Sequence, residues 1–204
     1  MKQSRLVGDG AGWETISSEE NFTNKNLAVV TDCVRSPARS KPCTWTAVLR
    51  KAAVIVAPIT RENKILLIRQ ERVPIRAAIW EMPAGQIDQE DANNDKIRET
   101  ALRELKEETG YQLASGGELV DLGHYFSSPG FTDEYGYFFL ARPVGPSCEG
   151  PKREEAESII DCREFSIPEI RRMIADNEIC DAKTLGICAR LAARGFISLE
   201  TADR

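Results

Sequence analysis

Histidine is almost missing from this 204-residue chain, with His124 its one representative. Cysteine is present at Cys33, Cys43, Cys148, Cys162, Cys180 and Cys188, but no two stand in a C-x-x-C pair. A zinc site of Cys and His ligands is therefore not expected. The thiols read as free cysteines of a reducing compartment. No apolar run approaches the length of a membrane span, and the first thirty residues lack the apolar core of a signal peptide. The expectation is a cytoplasmic protein with no membrane partner. Positive charge is also in deficit: 27 Lys and Arg face 32 Asp and Glu, for a formal net charge of −5. Without a basic cluster the chain is not expected to bind nucleic acid. No internal repeat or low-complexity tract is found.

What remains is a globular composition, 42% hydrophobic and 29% charged, in a chain long enough for one ordinary domain and a small appendage. Between Trp13 and about Arg50, "NLAVVTDCV" and "CTWTAVLR" are β-like runs separated by the turn signal "RSPARSKP". They predict a small antiparallel unit over residues 1–50. "AAVIVAPI" and "KILLIRQER" read as a hairpin of buried strands, and "AIWEMPAG" as a short strand stopped by Pro83 and Gly85. A helix capped by Asn94 or Asp95 and closed by Gly110 follows. Strands are predicted at about 118–127, 134–142 and 157–165, then two amphipathic helices, "SIPEIRRMIADNE" and "DAKTLGICARLAARG". Strands, helix, strands, helices is an α+β order with mixed sheet pairing.

The first helix, "RETALRELKEETGY", holds the chemistry. Glu104, Glu107 and Glu108 stand at i, i+3 and i+4, so they share one face. Like charges at that spacing repel, and carboxylates near a helix C-terminus oppose its dipole. A solvated acidic face is one reading; a bound divalent cation is the other, because Mg²⁺ takes a few carboxylates and leaves room for substrate phosphates. A calcium loop over "DQEDANNDKIRE" fails, since Ala92 falls on a ligand position and Asn93 on the required glycine.

"RELKEETGY" resembles the second half of the Nudix box, G-x5-E-x7-R-E-U-x-E-E-x-G-U, through Arg103, Glu104, Leu105, Glu107, Glu108, Gly110 and Tyr111. The first half departs: Gly85 lies four residues too far upstream, and Asp95 occupies the helix-start acid position. An insertion around "DANN" accounts for both, and loops absorb such insertions cheaply. "RQERVPIRAAIWEMPAGQID", "SSPGFTDE" and "EICDAKTLGI" resemble segments of the ADP-ribose pyrophosphatase branch of the family. Its late proline corresponds to Pro129, which follows Tyr111 after seventeen intervening residues.

The resemblance implies a Nudix fold, a mixed sheet between helices, over residues 51–204. It implies Mg²⁺, or Mn²⁺ in its place, held by Glu104, Glu108 and the carbonyl of Ala84, with Glu107 bridging or serving a second ion. Arg103 would pair with Asp95 or Glu99. Arg72 would contact substrate phosphates, as a guanidinium fork suits, unless it is only an exposed strand-end arginine. The base would come from "GPKREEAESII", with Glu155 as base and Glu157 as metal ligand, or the reverse; a solvated loop is the plain alternative, and Glu134 a third candidate. The substrate would be ADP-ribose or another nucleoside diphosphate sugar, hydrolysed to AMP and a sugar phosphate. GDP-mannose, NADH or FAD would be the alternative substrates, and a non-catalytic binding module the remaining one. Members of this branch are typically homodimers in which the N-terminal unit completes the partner's site. There Trp45, or less favourably Trp13, would stack on adenine or serve as an interface residue.

Overall fold

The computed structural model describes residues 5–87, 93–153 and 157–200. The chain forms two compact units. One comprises Met1–Ala53, Gln86–Asp91 and Tyr125–Gly136; the other comprises Val54–Gly85, Ala92–His124 and Tyr137–Arg204.

In the first unit, β1 (Glu14–Thr23), β2 (Leu27–Arg35) and β3 (Cys43–Arg50) make an antiparallel sheet in the order β1-β2-β3. The turn between β1 and β2 is set by Asn24, whose side chain accepts from the backbone N–H groups of Asn26 and Leu27, an Asx turn. The buried core of this unit is small, with Ala28, Val30 and Leu49 clustered together. β1 itself is exposed along nearly its whole length.

The second unit is built on a mixed sheet of order β10-β5-β4-β9-β8, to which β6 and β7 add beside β5 and β4. Its strands are β4 (Ala53–Thr60), β5 (Lys64–Arg72), β6 (Ala77–Glu81), β7 (Ala84–Gln86), β8 (Tyr111–Phe126), β9 (Tyr135–Pro146) and β10 (Ile159–Ser166). Val54–Ala57 and Ile65–Ile68 are buried without alternation, as strands covered on both faces require. Three helices complete it: α1 (Asn94–Thr109), α2 (Ile167–Ala175) and α3 (Ala182–Ala193). Each starts at a side-chain cap, Asn93 for α1, Ser166 in a reciprocal capping box with Glu169 for α2, and Asp181 for α3.

The structure moves several predicted boundaries. The cap of α1 is Asn93 rather than Asn94 or Asp95, because its extended backbone lets the side chain accept from Lys96 N–H. β8 starts at Tyr111 rather than near 118; Gly116, at φ 76°, and Gly117 hide the strand signal there. The chain also resumes a strand after Pro83: Val56 N–H donates to the Pro83 carbonyl at 2.9 Å, and β7 pairs with β4. Gly110 closes α1 as expected, in the left-handed region at φ 76°. All six cysteines are free. Among the described residues no helix is long and apolar enough to cross a membrane.

Candidate active site

α1 turns Ile97, Ala101 and Leu105 into the core, and the same buried stripe carries Glu104 and Glu108. Apolar spacing at i, i+4 and i+8 thus sinks two carboxylates, Glu108 to 1% exposure. Burying charge without a partner is costly. Here a third acid adds to the cost: one carboxylate oxygen each from Glu104, Glu108 and Glu157 lie within 4.8 Å of one another. Three oxygens gathered so closely could hold one small cation such as Mg²⁺, which takes a few carboxylates and keeps its other positions for water or phosphate. The all-oxygen donor set agrees with a hard cation.

Electrostatics reflect the crowding. Burial, with repulsion from Glu157 and Glu107, pushes the Glu104 carboxyl up to about 7 against the pull of Arg103. Burial, with Glu157 and Glu104 adding to it, pushes Glu108 up to about 9, although the Ala84 N–H and Arg72 oppose the shift. At neutral pH Glu108 holds its proton and Glu104 holds one part of the time, and a cation would displace both.

The loop Met82–Gly85 lies against the same carboxylates. Ala84 N–H donates to Glu108 Oε2 at 2.8 Å, which puts the Ala84 backbone at the triad. Gly85 is there for space: a Cβ on it would fall 2.0 Å from Cδ of Glu104. Glu157 sits just before β10, its carbonyl accepting from Nε2 of the buried Gln70 at 2.6 Å. Arg153 ties the same region down, donating from Nε to the Glu108 carbonyl at 3.0 Å and from Nη1 to the Ile159 carbonyl at 3.2 Å.

Other predicted residues lie as follows. Glu107 is not in the triad; its carboxylate accepts from Arg103 Nη1 at 2.6 Å. Arg103 pairs with Glu107 and Glu104, not with Asp95 or Glu99, since one turn of helix brings Glu107 under its guanidinium. Glu155 lies outside the described residues. Arg72 is locked in a two-pronged pair with Glu81, Nε to Oε1 and Nη2 to Oε2, both at 2.7 Å. Glu134 belongs to the first unit, where Oε1 lies 3.1 Å from Arg50 Nε.

Trp45, also in the first unit, is 53% exposed and donates from Nε1 to the Gly130 carbonyl at 3.1 Å. It lines a cavity of about 740 Å³ together with Trp13, Phe131, Arg39 and Asp133. Sequence reasoning missed Gln70, Glu81 and Arg153. For Glu81 a signal was available, a lone charge inside the apolar strand "AIWEMP".

A family model described as NUDIX domain matches residues 49–185. An ADP-ribose pyrophosphatase of Bacillus subtilis (strain 168) is 32% identical over 171 residues, 84% of this chain and 88% of the relative. A methanol dehydrogenase activator of Bacillus methanolicus is 32% identical over 172 residues, with the same shares of 84% and 88%. A solved ADP compounds hydrolase matches with a TM-score of 0.73 over 94% of this chain and 100% of that one, at 17% identity, a likeness of fold. The chain belongs to the Nudix family, as a Nudix hydrolase.

Proposed function

We propose that this Nudix hydrolase cleaves the diphosphate of ADP-ribose, or of a related ADP-sugar, to AMP and a sugar phosphate. The observation that carries the reading is the convergence of Glu104, Glu108 and Glu157 beside the Ala84 backbone. The similarity to an ADP-ribose pyrophosphatase over most of both chains supports the choice of substrate.

In this reading Glu104, Glu108, Glu157 and the Ala84 carbonyl hold Mg²⁺ or Mn²⁺, with Glu107 available to a second ion. When bound, the metal supplies neutralisation of the diphosphate charge and acidification of the attacking water. Water oxygen bonds to one phosphorus as the bridging P–O bond breaks, and the departing phosphate takes the electron pair. The water's proton goes to a loop carboxylate, Glu155 or Glu157. Arg72 keeps N–H groups beyond the two held by Glu81 and directs them to phosphate oxygens. Arg103 offsets the charge of Glu104 and Glu107 and keeps the helix face in register.

The reading also includes a homodimer. Ile16, Phe22 and Trp45 on the N-terminal sheet, and Trp13 just before it, are all exposed, more apolar surface than a sheet with so small a core hides by itself. Docked on a second copy, this sheet would complete that copy's site, with Trp45 stacking on adenine.

Hydrolysis of a panel containing ADP-ribose, ADP-glucose, GDP-mannose, NADH and FAD, with Mg²⁺ and with EDTA, tests the reading. ADP-ribose should be preferred, with AMP as product and no turnover in EDTA. A preference for GDP-mannose, or turnover unaffected by EDTA, would overturn it.

A further inference from the structure

The motif "EICDAKTLGI" opens α3, and its side chains reach the loop that lines the acidic triad. Asp181 caps the helix: its Oδ2 accepts from Thr184 N–H at 2.9 Å and from Thr184 Oγ1 at 2.8 Å. The fully buried Thr184 Oγ1 in turn accepts from Met82 N–H at 2.9 Å. Met82 stands two residues from Ala84, whose N–H is held by Glu108. Between Asp181 and Thr184 sits Lys183, with Nζ 3.8 Å from Oε2 of Glu81 and 3.8 Å from Oδ1 of Asp181.

Those distances are ion pairs without hydrogen bonds. Neither carboxylate needs Lys183. Glu81, with its side chain only 2% exposed, already receives two 2.7 Å bonds from Arg72, and Asp181 already receives two from Thr184. A buried carboxylate with a two-pronged arginine is satisfied. Lys183 is thus a second cation whose three N–H donors are not consumed by the groups that attract it. Its side chain is 30% exposed and that of Arg72 36%, so the two cations cover the buried carboxylate and face outward. Arg72 also feels the Glu108 carboxylate, and the Met82–Thr184 bond ties the start of α3 to the segment that runs on to Ala84.

We propose that Lys183 is a diphosphate-binding residue of this site, with Glu81 as the positioning residue that holds Lys183 and Arg72 side by side. The inference rests on the reading of the site as one that binds a diphosphate, and it adds a contact from α3. Arg72 supplies directional N–H bonds and Lys183 a compact charge that adapts as the phosphates move. Glu81 lies between them and keeps two like charges together before any anion arrives.

Methylenediphosphonate is the probe, since it carries the P–C–P core with neither sugar nor base. Its affinity is measured by calorimetry in Mn²⁺ for wild type, Lys183→Met, Lys183→Gln and Lys183→Arg, and Mn²⁺ affinity is measured separately without it. Lys183→Met and Lys183→Gln should weaken diphosphonate binding at least about ten-fold, and Lys183→Arg should retain most of it. Mn²⁺ affinity should be unchanged in all three. Unchanged diphosphonate affinity in a folded Met or Gln variant overturns the proposal. So does a parallel loss of Mn²⁺ affinity, or failure of both variants to fold, because either makes Lys183 purely structural. Failure of the ADP-ribose reading would look different: wild type would bind the diphosphonate and leave ADP-ribose intact.

Discussion

The backbone N–H of Ala84 donates to Oε2 of Glu108 at 2.8 Å. That bond joins the segment before the box to the last turn of the acidic helix, and it occupies one oxygen of a carboxylate that the proposed reading gives to the metal. Substitutions on the helix face should therefore report on metal and not on fold. Glu104→Gln and Glu108→Gln should each lower kcat by at least about a hundred-fold, more than the 10–100-fold typical of groups one shell further out. Glu157→Gln should lower both kcat and Mn²⁺ affinity, whereas Glu155→Gln should lower kcat alone. Steady-state kinetics with metal titrations check all four, and near-normal turnover in the two helix variants would refute the assignment.

The pH dependence of the metal-free protein follows from the raised carboxyls. With Glu104 at about 7 and Glu108 at about 9 in the folded state, against 4.5 ordinarily, the native protein holds protons that the unfolded chain releases. This contribution to stability is complete below pH 4.5 and is lost as pH rises through 7 and then 9. In EDTA the Tm should fall across that window, and Glu108→Gln should flatten the fall. Added Mg²⁺ should raise Tm most at the alkaline end, where no proton competes. A Tm in EDTA that climbs from pH 6 to 9 would contradict the shifts.

Gly85→Ala would put a methyl carbon 2.0 Å from Glu104 Cδ. Overpacking of this kind costs about 1–3 kcal/mol, and a 1 Å misplacement of a reacting group can cost about a hundred-fold in rate. The variant should fold with a lower Tm and lose most of its activity together with its Mn²⁺ affinity. Retained affinity with full turnover would mean the loop yields easily.

Trp45→Ala tests the N-terminal sheet. Loss of one aromatic stack, worth about 1–3 kcal/mol, should raise KM for ADP-ribose roughly ten-fold, with dimerisation intact by light scattering. An unchanged KM, or a monomeric wild type, would count against the shared site.

Much of the fold was legible in the residues because the signals were local. The buried runs "AAVIVAPI" and "KILLIRQER", the Gly110 stop and the carboxylate face of α1 each rest on neighbours in sequence. What was not legible depends on which strands pair and which way long side chains lean. Arg72 meets Glu81 across the β5–β6 pairing, and Gln70 reaches the Glu157 carbonyl because β10 lies beside β5. Arg103 meets Glu104 and Glu107 rather than the helix-start acids that the family resemblance implies, because one turn of helix already sets a carboxylate beside its guanidinium.

Asn93 starts α1 through a purely local cap, accepting from Lys96 N–H. Glu104 and Glu108 lie in the last two turns, which are fastened from outside by Ala84 and Arg153. The helix is therefore indexed from its end. Residues gained or lost ahead of Asn93 change how far the chain travels before the helix begins, and leave unchanged where its carboxylates arrive. By contrast, Arg153 clasps the carbonyl of Ile159 across only five intervening residues, so a change of length there would shift Glu157 directly. The two approaches to the site should differ in the lineage accordingly, free to vary in length on one side and fixed on the other.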